Sequence, residues 1–296
     1  MEQNAIREIQ PTELIGPPEL RRFLVRLERT RSTDDVWELW LSLMREIGLT
    51  GLDYVYATDH RNWEQAQFIR TTASSKWLDY VRKFPSIRRT SIFRRHAVHH
   101  LTPVLSGMAH FDLMDEVTDE MRLHGIASRD EIGANATIAF PLRMGDPGQA
   151  AVLTWGGPHS KEEFRDVIDR HGWTMHAASL SGHTRYTELF KAEFLTRNAL
   201  TDKQIELVRL VGRGLLDKQI AHALGISFSA VRQRLSAVQA KTGAQNRAEL
   251  AALAMRLGLV EDPLLRNHAA DLTVFLSMSD GKTGSERLSE RPHAAE

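Results

Sequence analysis

The chain has 296 residues, 38 Lys and Arg against 38 Asp and Glu, and is 42% hydrophobic and 26% charged. That composition excludes a collagenous, coiled-coil or wholly disordered chain, and the length suits two domains. With no cysteine there can be no disulfide scaffold, zinc ribbon, iron–sulfur site or thiol nucleophile.

Residues 1–16 alternate charged and apolar positions without a continuous apolar core, which argues against a secretory signal. No apolar run approaches the roughly 18–20 residues of a membrane span, so a cytoplasmic chain with no membrane partner is expected. Leu20, Phe23, Leu24 and Leu27 predict an amphipathic helix. A second carries Val36, Leu39, Trp40, Leu43, Met44 and Ile47, capped by Ser32 to Asp35 and closed by Gly48. Leu52, Tyr54 and Tyr56 then alternate with Asp53 and Val55 as a strand, with Gln67–Arg70 as its partner. Trp77, Tyr80, Val81 and Phe84 return to helical spacing, as do Met114, Val117 and Met121, with a stop at Gly125. Thr137–Leu142 and Ala150–Trp155 read as strands joined by a Met-Gly-Asp-Pro-Gly turn at 144–148. Ser160-Lys-Glu-Glu163 is a capping box that opens a long helix towards Phe190. This order implies a sheet with helices packed on its faces. Helices follow from Thr201 to Leu259. The polar tail beyond Asp262 is expected to lack order apart from an apolar patch, Leu272–Leu276.

The neutral total hides an asymmetry. Between Thr196 and Val260 ten Lys and Arg stand against four acids, a local surplus of six positive charges. A compact basic module on a mildly acidic body is the footprint of a nucleic-acid reader, although a solvated basic face would look the same by charge alone. Geometry adds what charge cannot. The stretch from Asp217 to Ser236 has Ala221 where two helices would touch, Gly225 where the first must end, and Val231 facing back from the second. A helix-turn-helix needs those three properties: a small contact residue, tolerance of positive φ and an inward apolar residue. Ile220, Leu224, Ile226 and Leu235 complete a small core, and Ser227 is a credible N-cap. In this motif the second helix enters the major groove. Arg232, Gln233 and Ser236 would then face base edges, and Lys218, Arg234 and Lys241 the phosphates.

These residues, Leu200 to Gly214, Lys218-Gln-Ile-Ala221, Leu224-Gly-Ile-Ser227, Val231 and Lys241 to Arg247, resemble the LuxR-type DNA-binding domain. Ala248–Val260 resembles its fourth helix. One departure is Gln204, where the family usually has Glu, which weakens an internal salt bridge. Upstream, Gly51-Leu-Asp-Tyr54, Trp77, His124-Gly-Ile126, Pro141-Leu142 and Ala151-Val-Leu-Thr154 resemble the autoinducer-binding domain of quorum-sensing LuxR regulators.

The resemblance implies an α+β protein. An N-terminal extension (1–18) would precede an α-β-α sandwich sensor domain (19–192), a linker (193–199), an all-α four-helix helix-turn-helix domain (200–262) and a tail (263–296). It further implies a homodimer on a two-fold symmetric double-stranded DNA operator, and a small apolar signal such as an acyl-homoserine lactone held by Trp77, Tyr54, Thr90 and Thr154. No other cofactor, no metal and no catalytic residue is implied. The family's ligand-accepting Asp is Thr90 here, two of its tyrosines are Ala73 and Val81, and its second pocket Trp falls near Leu105 or Ser106. A buried ligand amide left without its acceptor costs about 1–3 kcal/mol, so a non-lactone ligand or a ligand-independent regulator stays open. A metal-dependent enzyme built on His96, His99, His100 and His110 is the distant alternative, since no HExxH or adjacent carboxylate accompanies them.

Overall fold

In the computed structural model the described residues are 16–57, 68–84, 96–97, 99–114, 116–142, 150–260, 272–277 and 283–288. The chain divides into two compact units between Phe190 and Lys191.

The first unit opens with two helices, α1 (Pro18–Glu28) and α2 (Thr33–Glu46). Ser32 caps α2 by accepting from the Asp35 backbone N–H, and the Asp35 carboxylate accepts from the Ser32 N–H in return. The strands β1 (Gly51–Ala57), β2 (Phe68–Thr71), β3 (Val104–Ser106), β4 (Ala136–Leu142) and β5 (Ala150–Gly157) form one antiparallel sheet in the order β2-β1-β5-β4-β3. Between them lie α3 (Ser75–Lys83), a 3₁₀ segment (Met108–Leu113) and α4 (Asp119–Ile132); α5 (Lys161–Arg197) follows β5. Gln67 and the turn expected at 144–148 lie outside the described residues.

Strand alternation sends the two faces of this sheet to different layers. Leu52, Tyr54, Ile138, Phe140, Leu153 and Trp155 join α1, α2 and α5 in the main core. Two indoles fix α5 against it. The Trp40 Nε1–H donates to the Ala178 carbonyl at 3.0 Å, and Trp155 Nε1–H to Ser179 Oγ at 3.0 Å. Gly182 is where helix and indole meet: a Cβ there would lie 2.6 Å from the Trp40 ring. The opposite face is covered by α3, the 3₁₀ segment and α4.

Three elements depart from the sequence pattern. The helix expected from Met114 to a stop at Gly125 instead starts at Asp119, capped by Thr118, and passes through Gly125 to a left-handed Gly133. Gly125 serves close packing rather than termination, because a Cβ there would lie 2.6 Å from the Phe111 ring. The long helix continues past Phe190 to Arg197, through most of the stretch read as a linker. In the tail, Leu272–Ser277 (β6) and Thr283–Leu288 (β7) pair as an antiparallel hairpin rather than leaving an isolated apolar patch.

The second unit holds α6 (Asp202–Gly212), α7 (Asp217–Leu224), α8 (Phe228–Thr242) and α9 (Arg247–Arg256). Leu207, Val211, Ile220, Val231, Val238 and Leu250 form its core. Helices α6 and α9 approach through Gly212, where a Cβ would lie 2.6 Å from that of Ala254. Among the described residues no helix is long and apolar enough to cross a membrane.

Candidate functional site

Helices α7 and α8 meet through a three-residue turn. Gly225 ends α7 in the left-handed region (φ 62°, ψ 34°), and the Ile226 N–H closes the turn on the Ala221 carbonyl at 3.0 Å. Ser227 caps α8, its Oγ accepting from the Ala230 N–H at 3.2 Å. Val231 and Val238, seven residues apart, are fully buried, while Arg232, Gln233 and Ser236 on the intervening turns are exposed. Phe228 begins the helix 45% exposed, an apolar side chain in water that the sequence reading passed over. Arg247 braces the pair from α9, donating to the Asp217 carboxylate and the Leu215 carbonyl.

Lys218 is exposed and Arg234 half-buried. Lys241 differs from both. Its ammonium donates to the Ala199 carbonyl and, at 2.9 Å, to Gln204 Oε1. That side chain therefore ties α8 to the turn before α6, and only one of its three N–H bonds is left for a phosphate. Gln204 also accepts from the Thr201 N–H at 3.1 Å, so one amide oxygen serves a cap and a tie.

In the first unit a cavity of about 200 Å³ lies on the sheet face away from the main core. Its floor is made by the strand register. Gly51 stands opposite Gly156, which pairs in turn with Thr137, and one rung on Asp53 lies between Thr71 and Thr154. Trp77 and Val81 of α3, Phe111, and Met121, His124 and Ile132 of α4 form the rest of the wall. Aromatic rings support it: Trp77 stacks on Tyr80 at 5.3 Å and 11°, and Tyr80 meets His124 edge-on at 5.8 Å. The Tyr80 hydroxyl and His124 Nδ1 are hydrogen-bonded at 3.0 Å, and burial pushes the Tyr80 phenol up. Thr154 is only 7% exposed and its Oγ1 has no hydrogen-bond partner.

A family model described as GerE, bacterial regulatory proteins of the luxR family, matches residues 198–254. Residues 198–254 are a LuxR-family domain. The transcriptional regulatory protein YdfI of Bacillus subtilis (strain 168) is 36% identical over 61 residues. That stretch is 21% of this chain and spans 29% of YdfI. The crystal structure of Escherichia coli SdiA superposes with a TM-score of 0.54 at 14% identity, covering 82% of this chain and 98% of that one. SdiA in complex with octanoyl-rac-glycerol gives 0.53 at 14%, covering 81% and 94%. At that identity the likeness is one of fold: a mixed sheet-and-helix unit followed by a helical one.

The residues proposed for ligand contact from sequence divide three ways. Trp77 and Thr154 line the cavity. Thr90 lies outside the described residues. Tyr54 must be corrected. It is fully buried on the opposite sheet face, its hydroxyl hydrogen-bonded to His183 Nδ1 at 2.8 Å, because its parity along β1 matches Leu52 rather than Asp53. Ala73 and Val81, which replace tyrosines of the family pattern, both line the cavity, so the smaller side chains leave room there. Asp53 and Thr71 were missed; the signal was a carboxylate in the middle of an otherwise apolar strand. As for the histidine alternative, His96 stacks on His100 at 4.4 Å with its Nε2 near the Thr102 carbonyl. Among the described residues no group of three His, Asp or Glu could hold a metal ion.

Proposed function

We propose that this chain is a cytoplasmic transcriptional regulator. Its LuxR-family domain places α8 in the major groove of double-stranded DNA, and its N-terminal cavity takes a small molecule that controls binding. The observation that carries the reading is the exposure of Arg232, Gln233 and Ser236 on α8 while Val231 and Val238 anchor it. Arg232 and Gln233 have the donor sets for bidentate contacts with guanine and adenine, and the exposed Phe228 ring suits a thymine methyl. Lys218 and Arg234 are the phosphate contacts; Lys241 is chiefly a tie within the domain.

A homodimer on a two-fold site follows from the same reading, since two recognition helices one DNA turn apart read symmetric half-sites. Trp173 and Leu180, seven residues apart on α5 and 67% and 37% exposed, give a stripe that a second copy would cover. Ligand control is linkage: a molecule that completes the sensor core favours whichever arrangement binds it more tightly. Family and fold are those of regulators, and no catalytic role is assigned.

The test is DNA binding by purified full-length protein at several salt concentrations. Arg232→Ala should lower affinity for the specific site by about 1–3 kcal/mol and flatten discrimination at one base position. Lys218→Ala should weaken specific and random duplexes alike and reduce the salt slope by about one. Indistinguishable variants on the two duplexes would refute the groove assignment. For the sensor, mass spectrometry of material extracted from the purified protein should find a bound small molecule, and Trp77→Phe should change its retention. An empty dimer fully active on DNA would favour ligand-independent regulation.

A further inference from the structure

The first residue of α8 is apolar where its exposed neighbours are polar. Phe228 opens the helix 45% exposed and stands outside the apolar core that Val231 and Val238 enter. Arg232 follows it by four residues, so the two side chains are neighbours on one side of the helix, about 6 Å apart along its axis. Ser236, also exposed, extends the same row by another turn. The hydroxyls beside the ring are engaged with each other and with the backbone: Ser227 Oγ accepts from the Ala230 N–H at 3.2 Å and lies 3.0 Å from Ser229 Oγ. The ring is therefore the group that the first turn of α8 holds out to solvent. A phenyl ring has neither donor nor acceptor, so it makes no conventional hydrogen bond to a phosphate oxygen or a base edge. The N-terminal residues of a recognition helix are the ones set against base edges, and the apolar group that the major groove offers there is the C5-methyl of thymine. A methylated cytosine carries the same group at the same ring position.

Resting on the groove reading above, we infer that Phe228 is a specificity-determining residue that reads a pyrimidine 5-methyl group, within about two base pairs of the guanine contacted by Arg232. The ring recognises the methyl by covering it. Thymine and 5-methylcytosine both present that group, and deoxyuridine and unmodified cytosine do not. Covering one methyl is worth about fourfold in affinity for each half-site. This is less than the bidentate contact of Arg232 supplies, so Phe228 adjusts the choice of site that Arg232 and Gln233 make.

The experiment starts from a duplex selected out of random sequence with the purified full chain. Affinities are then measured on copies in which single thymines are replaced by deoxyuridine, which removes the methyl and nothing else. One thymine in each half-site should lose about fourfold on replacement. At that position cytosine and 5-methylcytosine are compared next. Recovery with 5-methylcytosine makes the methylated base a source equivalent to thymine, and no recovery assigns the contact to thymine alone. Phe228→Ala should bind the thymine and deoxyuridine duplexes equally, at the level of the parent chain on deoxyuridine, while Phe228→Leu should keep part of the difference. That residual binding also shows that the alanine variant is folded. A thymine–deoxyuridine difference that survives in Phe228→Ala overturns the inference, as does a duplex in which no thymine responds. If Arg232→Ala still flattens discrimination at one base position in that case, the groove reading stands. If no duplex is selected over random DNA, the groove reading falls as well.

Discussion

The two units differ in how far apart in the chain their decisive residues lie. In the LuxR-family domain the helix pair is specified within about twenty residues: Ala221 at the contact, Gly225 at the left-handed turn, Ser227 at the cap, Val231 facing inwards. In the N-terminal unit the cavity floor unites Asp53, Thr71 and Thr154, separated by up to a hundred residues and joined only by strand register. A local steric code tolerates drift elsewhere in the chain. A register does not, since a slip of one residue would move Asp53 into the core and Tyr54 into the cavity. A family model matches residues 198–254, within the locally specified unit, whereas the likeness to SdiA is one of fold.

The units can be separated spectroscopically, because every tryptophan and tyrosine lies before Lys191. Tryptophan fluorescence therefore reports on the first unit alone, and far-ultraviolet circular dichroism on both. The largest effect should come from Trp40→Ala. This side chain is fully buried, bonds the Ala178 carbonyl and fills the notch at Gly182. Its removal should cost about 3–5 kcal/mol in the fluorescence-detected transition, while the helical signal of the second unit survives. Simultaneous loss of both signals would show that the units do not unfold separately.

Acid should act on the same unit next most strongly. Burial lowers the pKa of the His183 imidazole from 6.5 to about 4, and the neutral ring is hydrogen-bonded to the Tyr54 hydroxyl. Between those values the unfolded chain binds the proton and the folded chain does not. The stabilisation is thus complete above pH 6.5 and lost progressively as pH falls towards 4, about 3 kcal/mol in all. Fluorescence-monitored urea midpoints should decline across that window, and His183→Gln should flatten the decline. A midpoint independent of pH between 6.5 and 4 would refute it.

Much of this was legible in the sequence, for reasons that vary by residue. Ser32 and Asp35 announced the cap of α2, and the period-2 pattern of Leu52, Tyr54 and Tyr56 announced β1, because both signals are local. Gly125 was misread as a stop because a glycine inside a helix and one ending it look alike until Phe111 is placed beside it. Tyr54 was assigned to the ligand because its position on a strand says which residues share its face but not which face meets a cavity. The partner layers decide that, and they lie far along the chain. The pairing in the tail was hidden because only one of its strands, Leu272–Ser277, is apolar, while its partner, Thr283–Leu288, is polar.

A smaller effect probes the local code itself. At Gly225 a Cβ would meet nothing within 4 Å, so the only objection to a side chain is the positive φ of 62°. Gly225→Val should therefore cost the second unit roughly 1–2 kcal/mol through the backbone alone. Gly225→Asn should cost less, because Asn tolerates the left-handed region. DNA affinity should follow the same order, and the tryptophan transition should not move. If Val and Asn proved equivalent, the turn would not need the left-handed residue on which the motif was recognised.

The smallest effect concerns Gln204, one position read from the sequence as a departure from the LuxR pattern. Gln204 carries out with a neutral amide what a carboxylate does elsewhere: its Oε1 accepts from the Thr201 N–H at the start of α6 and from the Lys241 ammonium at the end of α8. Gln204→Glu would place a negative charge in the first turn of a helix, where the peptide dipoles favour it, and opposite a cation already in position. Little ordering entropy is added, because Lys241 is also held by the Ala199 carbonyl. Lys241 is exposed and Gln204 half-buried, so the gain is modest, about 0.5 kcal/mol, and should shrink as salt is raised. Calorimetry of the second transition in low and high salt would measure it. A destabilised variant would mean that the amide N–H₂ of Gln204 has a partner that matters more than the charge, and that the departure is an adaptation of this domain rather than a weakness in it.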